Sequence, residues 1–233
     1  MATLTVYPDA DPESATVDGT AGRASVDETF ATIRGGAGTQ NNSTSTNNPI
    51  SISSSGTSDQ FSAMNRGFTL FDTSALTADA TISNAVLSLA FSSKNNELGA
   101  PVLHATSSAP ASNTNLVNGD YAIAGFGSSF GSIAYADVTA DSTTYNDITL
   151  SSPDNGKISK TSITKLGLLL GWDINNSFTG TWASGVNSRF NFINAETAGT
   201  SADPKLVVTY STTSIKTVNG LAIASVKTVN GLA

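Results

Sequence analysis

Few residues in this chain could do chemistry. Its 233 residues include no cysteine and a single histidine, His104. Thiol catalysis and cysteine-held zinc are therefore ruled out. A serine nucleophile would need His104 as its base, because imidazole is the side chain that exchanges a proton near neutral pH. No serine is read as standing on a nucleophile elbow, and His104 is expected to be a half-exposed strand residue. No catalytic residue is assigned, and the chain is expected not to be an enzyme.

The carboxylates lead to the same expectation. Glycoside hydrolysis needs two of them facing each other across a cleft. Here the acids fall mostly in turn-like contexts, among them Asp9, Asp11, Asp18, Asp72, Asp141 and Asp154, where a short acidic side chain bonds the following backbone. Calcium is the ion such loops suit best, because carboxylates and carbonyls build an oxygen cage. Asp9-Ala10-Asp11 is the nearest cluster, and a solvated turn explains it better. Arg66 and Glu196 read as members of structural ion pairs. Of the two tryptophans, Trp172 sits in an apolar run and reads as core. Trp182 lies in Gly180-Thr181-Trp182-Ala183-Ser184-Gly185, a loop that offers its ring as a platform for a sugar face.

Short strands must position these residues. Phe68 and Leu70 share one face of an alternating segment from Arg66 to Asp72, as do Phe190 and Phe192 between Arg189 and Asn194. Further strands are expected at Ala2–Val17 (two, around a Pro-rich turn), Glu28–Arg34, Ala80–Phe91, Val102–Thr106, Ala134–Val138, Asp147–Ser151 and Lys205–Tyr210. Ser162–Ile174 is the most apolar run, with Gly167 and Gly171 weakening a helical reading, and is expected to be a buried central strand. Gly35–Ser58 and Asn113–Gly131 read as loops, the first with room for one edge strand at Pro49–Ile52. No helix is expected. Strands at this spacing between Gly, Asn and Ser clusters indicate an all-β fold: a two-sheet antiparallel β-sandwich of jelly-roll type over residues 1–210, with a long loop near 35–60.

Residues 211–233 form an extension with an internal repeat. Ser214-Ile-Lys-Thr-Val-Asn-Gly-Leu-Ala-Ile-Ala224 is followed, at a period of 11 residues, by Ser225-Val-Lys-Thr-Val-Asn-Gly-Leu-Ala233. Asn219-Gly220 and Asn230-Gly231 are two-residue turn signals, since both residue types tolerate positive φ. Ile215, Val218, Leu221, Ile223, Val226, Val229 and Leu232 supply apolar arms. A lone hairpin is marginal in water, so the extension should pair with its own sandwich, a neighbouring subunit or a particle surface. Two copies exceed what one sheet edge uses, which favours pairing between molecules and a homo-oligomer.

The composition bounds the partners. Net charge is −7 with a pI near 4.5, and no basic stripe is present, which argues against nucleic acid. No apolar run approaches the ~20 residues of a membrane span. Met1-Ala-Thr-Leu-Thr-Val-Tyr-Pro has neither a basic region nor an apolar core, so a secretory leader is not expected.

Two stretches resemble DNRLRE-type carbohydrate-binding domains. One is Arg66-Gly-Phe-Thr-Leu-Phe-Asp-Thr-Ser-Ala-Leu76 followed by Ala80-Thr-Ile-Ser-Asn-Ala-Val-Leu-Ser-Leu89. The other is Phe190-Asn-Phe-Ile-Asn-Ala-Glu196 with Pro204-Lys-Leu-Val-Val-Thr-Tyr210. The resemblance implies an extracellular-type β-sandwich of the kind found beside adhesive and polysaccharide-binding proteins. The tail's Lys-Thr-Val-Asn-Gly is similar to segments common in bacteriophage fibre and appendage proteins. Together these lead to the expectation of a structural virion protein (decoration, fibre or tail-associated) in contact with other virion proteins. The alternative is a carbohydrate-binding or cell-surface adhesion module that meets surface glycans.

Overall fold

The computed structural model describes residues 1–196 and 198–212, and the backbone of four residues in the tail. β1 (Ala2–Val6), β2 (Asp18–Glu28) and a short helix, α1 (Phe30–Gly35), open the chain. β3 (Gln40–Asn42), β4 (Asn47–Ser54), β5 (Phe61–Asp72), β6 (Thr81–Asn96) and β7 (Val102–Ser108) follow. After 3-10 turns at Asn118–Tyr121 and Ile123–Gly125 come β8 (Phe126–Ala134) and β9 (Tyr145–Thr149). β10 (Ile163–Leu170) runs directly into a single helical turn, α2 (Gly171–Ile174), and β11 (Asn187–Ile193) and β12 (Lys205–Ser211) complete the body.

The architecture is all-β, as expected: a 12-stranded antiparallel sheet that curls into a sandwich-like body. Its order is β1-β12-β6-β11-β4-β5-β10-β7-β8, with β2 paired to β5, β3 to β2, and β9 to β6. Two long strands make the curl possible by changing partners along their length. β6 pairs with β12 and β9 over its first part and with β11 from Phe91 onward. β5 carries β2 along one edge, while its other edge serves β4 up to Asn65 and β10 from Gly67. Gly67 stands at that fork. A Cβ there would come within 2.9 Å of Ile50 Cγ1 and 3.0 Å of Leu168 Cβ, so the two strands can part only around a residue without a side chain. Inside the curl, Phe68, Leu70, Leu87, Leu89, Phe190, Phe192, Leu206 and Val208 form one buried core. Each such side chain contributes ~1.5–3 kcal/mol by leaving water.

Several expectations need correction. Glu28–Arg34 alternates as a strand does, yet β2 stops at Glu28 and α1 takes over. Thr29 Oγ1 accepts from Thr32 N at 3.3 Å, and Ile33 is the inward anchor. The stretch expected as a long loop near 35–60 contains β3 and β4, and β4 is internal, between β11 and β5. Ile50 and Ile52 are buried there. Pro49 is tolerated because pairing with β5 begins only at Ser51, so no N–H is needed from it on that side. The strand expected over Ser162–Ile174 ends at Leu170. The strand expected over Ala134–Val138 lies earlier, as β8, and Tyr135–Asp137 is a 3-10 turn.

In the tail, the first repeat contributes β13 (Thr217–Val218) and β14 (Leu221–Ala222), paired antiparallel as Thr217↔Ala222 and Val218↔Leu221. The other tail positions named above, including Ile215, Asn219, Gly220, Ile223 and all of the second copy, lie outside the described residues.

Candidate functional site

Four polar or aromatic groupings stand out on this scaffold. The first surrounds Arg66, which is fully buried in the middle of β5, where an unpaired guanidinium would be very costly. The helical turn α2 swings Asp173 onto it. Nε meets Oδ2 at 2.6 Å and Nη2 meets Oδ1 at 2.9 Å, a bidentate fork. Nη2 also donates to the Arg34 carbonyl at 2.9 Å, and Nη1 donates to the Tyr121 carbonyl. The Tyr121 ring lies 4.1 Å from the guanidinium carbon, and its hydroxyl donates to the Ile33 carbonyl at 2.6 Å. Burial pushes that hydroxyl's pKa well above its ordinary value. Arg34 adds a second cation, 3.1 Å from Asp173 Oδ1. Arg66 and Asp173 are paired with each other, so the grouping ties α1, β5, α2 and the 118–121 turn together, while Arg34 also lines a hollow of about 280 Å³ with Ile123, Phe126 and Ser129.

The second grouping involves His104, on β7. Its Nδ1 lies 2.8 Å from Ser129 Oγ on β8. Gly127-Ser128-Ser129-Phe130-Gly131 has Gly-x-Ser-x-Gly spacing, a signal absent from the sequence reading above. It falls inside a strand, not at the strand-to-helix turn that exposes a nucleophile. Burial lowers the His104 pKa, which keeps the ring neutral. Ser129 Oγ also lies 3.2 Å from the Gly131 carbonyl, a second acceptor for its proton, and the direction of the His104–Ser129 bond follows the imidazole tautomer. No carboxylate bonds the imidazole among the described residues. This pair joins β7 to β8.

The third is an aromatic hollow of about 370 Å³, lined by Phe30, Asp59, Phe61, Phe178, Gly180 and Trp182. Phe61 forms its buried base, and Phe30, Phe178 and Trp182 are half-buried walls. The rings hold one another edge-on: Phe61 to Phe178 at 5.0 Å and 69°, Phe30 to Phe61 at 5.9 Å and 73°. Trp172 is core, as expected, and backs Phe178 at 4.9 Å. Trp182 sits on the loop before β11, and its indole N–H donates to the Gln60 carbonyl at 2.9 Å. That bond fixes the ring and leaves a face toward the hollow. The volume falls within the ordinary range for a small-ligand pocket, and Asp59 supplies an exposed acceptor at the rim. The sequence reading named Trp182 alone. Phe30, Phe61 and Phe178 are brought to it from three separate segments.

The fourth is acidic. Asp9 does serve its turn: Oδ2 accepts from Ser14 N, Ser14 Oγ, Ala15 N and Thr16 N at 2.7–3.2 Å. Partial burial pulls its pKa up, but those hydrogen bonds together outweigh it and hold the carboxyl below its usual value. Asp18 does not follow the turn reading. It opens β2, fully buried, with Oδ2 accepting from Ala195 N at 3.0 Å. Desolvation, and then the nearby Glu196, push its pKa far upward. Glu196 makes no ion pair among the described residues, contrary to expectation. Desolvation and the neighbouring acids raise it to about 7, and desolvation raises Asp203 to about 6.

Comparison with known proteins adds no family to these observations. No family model matches the chain, and no curated protein matches it. No helix among the described residues is long and apolar enough to cross a membrane.

Proposed function

We propose that the protein is a non-enzymatic surface-contact protein whose aromatic hollow engages the ring faces of a surface glycan. The observation that carries this reading is the convergence of Phe30, Phe178 and Trp182 around one accessible hollow with Asp59 at its rim. Aromatic faces stack on the C–H faces of sugars, and an exposed carboxylate accepts from sugar hydroxyls. A glycan array probed with the full chain tests it. Retention of a defined glycan class, lost in Trp182→Ala with an unchanged β-type circular dichroism spectrum, is the expected result. Absence of binding across the array, or full binding by Trp182→Ala, defeats the reading.

A second reading, a structural virion protein assembled through its tail, rests on the 11-residue repeat at 214–233. The two readings are compatible: an appendage protein can carry a glycan site on its sandwich and an assembly strand at its end. Its test is the solution mass of the full chain beside that of a version ending at Thr212. An oligomer that becomes monomeric on truncation supports assembly by the repeat. An oligomer unchanged by truncation removes that role.

A further inference from the structure

Two chain connections, β1 to β2 and β11 to β12, meet at one end of the sandwich because β1 and β12 pair along their whole length. They bring together Glu13, Asp18, Asn194, Glu196 and Asp203. Nine buried side-chain polar atoms lack a hydrogen-bond partner among the described residues, and six of them are on these five residues: Glu13 Oε1, Asp18 Oδ1, Asn194 Oδ1, both oxygens of Glu196, and Asp203 Oδ1. All six are oxygens. Two of them belong to the fully buried Asp18 and Asn194, whose other polar atoms are already used. Asp18 Oδ2 is held by Ala195 N at 3.0 Å, and Asn194 Nδ2 donates to the Ser45 carbonyl at 2.9 Å. Each therefore has one atom committed to the backbone and one oxygen left over. Buried acceptors without donors are rare and costly. A clustering of acceptors only, with no cation within ion-pair reach among the described residues, calls for a positive ligand.

We propose that this junction binds a divalent cation of the calcium type, held by Asp18, Glu196 and Asp203 with the Asn194 side-chain oxygen, and that the ion clips the two connections together. The donor set is oxygen only, with no imidazole or thiolate, which selects a hard cation. Calcium tolerates irregular shells of 6–8 oxygens, including carbonyls and water, at 2.3–2.6 Å. Among the described residues no three acids already stand around one point at ligand distance. Asp18 is fixed at the start of β2, whereas Glu196 and Asp203 lie on the β11–β12 connection, so the proposed shell requires those two side chains to turn toward the ion. The hollow beside them, about 410 Å³ and lined by Asp9, Glu196 and Asp203 among others, gives an entry path. Tyr145 bonds the Asp203 carbonyl at 2.9 Å, which places a sensitising ring next to the site.

The test uses the full chain, stripped with EDTA and dialysed. Titration with calcium chloride by calorimetry should give one ion per chain, and the same protein should sensitise terbium emission on excitation of tyrosine. Saturating calcium should raise Tm by about 5–10 °C. Glu196→Gln should weaken binding by at least about tenfold and abolish the Tm response. Asp203→Asn serves as an independent second variant with the same expectation. No heat and no Tm change up to about 10 mM calcium, beyond the range of weak extracellular sites, overturns the proposal. So does calcium binding that both variants leave unchanged.

Discussion

Two regions of this molecule bury charge, and they do it in opposite ways. Around Arg66 a buried cation meets Asp173 bidentately, while two backbone carbonyls take two more of its N–H groups. At the β1–β2 and β11–β12 junction, carboxylates gather with oxygens that have no donor and no cation within reach among the described residues. The first arrangement is complete, so it reads as part of the fold. The second is incomplete, so it reads as a place where something binds. Burial alone does not separate structure from function. The balance of donors and acceptors does.

The largest effect that would test this contrast comes from breaking the complete pair. Arg66→Ala leaves Asp173 buried without its main partner and should destabilise the protein by ~3–5 kcal/mol, read as a shifted midpoint in urea. Replacing both partners, Arg66→Met with Asp173→Leu, should recover part of that loss, leaving a deficit of ~1–3 kcal/mol. Recovery stays partial because the carbonyls of Tyr121 and Arg34 lose their donor. If the single variant costs nothing measurable, the Arg66 grouping is not the completed structural unit described here.

The same contrast explains what could be read from the sequence. Strands were legible where alternation shows which side chains share a face: Phe190 with Phe192 and Lys205–Tyr210, each with one buried face, and Phe68 with Leu70 on β5, which is buried on both faces. The turn role of Asp9 was legible because it is local. It spans residues 9–16, and Asp72 and Asp141 act over even shorter distances. Three features were not legible, for different reasons. α1 was hidden because Glu28–Arg34 alternates, and only the buried contact of Ile33 decides its conformation. β4 was hidden by polar flanks around two isoleucines that find partners on both sides. The acidic junction was hidden because its members lie as much as 190 positions apart, from Glu13 to Asp203, and only the pairing of β1 with β12 brings them together. The aromatic hollow was visible through Trp182 alone for the same reason, since Phe30, Phe61 and Phe178 join it through the tertiary fold.

Smaller effects sharpen the comparison at the incomplete site. In metal-free protein at pH 8, Glu196→Gln removes a carboxylate that burial and its neighbours disfavour. It should stabilise the fold by ~1 kcal/mol, discounted because the group is only half buried, or roughly 2–4 °C in Tm. The sign follows from linkage. The folded Glu196 pKa, about 7, lies above its ordinary value of 4.5, so its protonated form is favoured by folding. That stability is fully present below 4.5 and is lost as pH rises through 7. Asp203 behaves alike between 3.8 and about 6. Wild-type protein in EDTA should therefore melt at lower temperature at pH 8 than at pH 5, and Glu196→Gln should flatten that slope. A Tm that rises from pH 5 to pH 8 in EDTA would contradict the account of this cluster.

His104 provides the smallest effect and a check on sign. Its folded pKa is depressed by burial, so its contribution is present above 6.5 and is lost as pH falls below that value, opposite to the acids. His104→Gln removes this penalty at pH 5 and should make the fall in Tm between pH 5 and pH 8 slightly steeper. Only the unmatched acids should respond to calcium as well. If added calcium removes the pH slope of Glu196 and Asp203 but leaves the His104 increment intact, the incomplete cluster is the ion's site and the His104–Ser129 pair is ordinary packing. If calcium shifts both equally, it acts on the fold as a whole, and the distinction between completed and uncompleted charge loses its support.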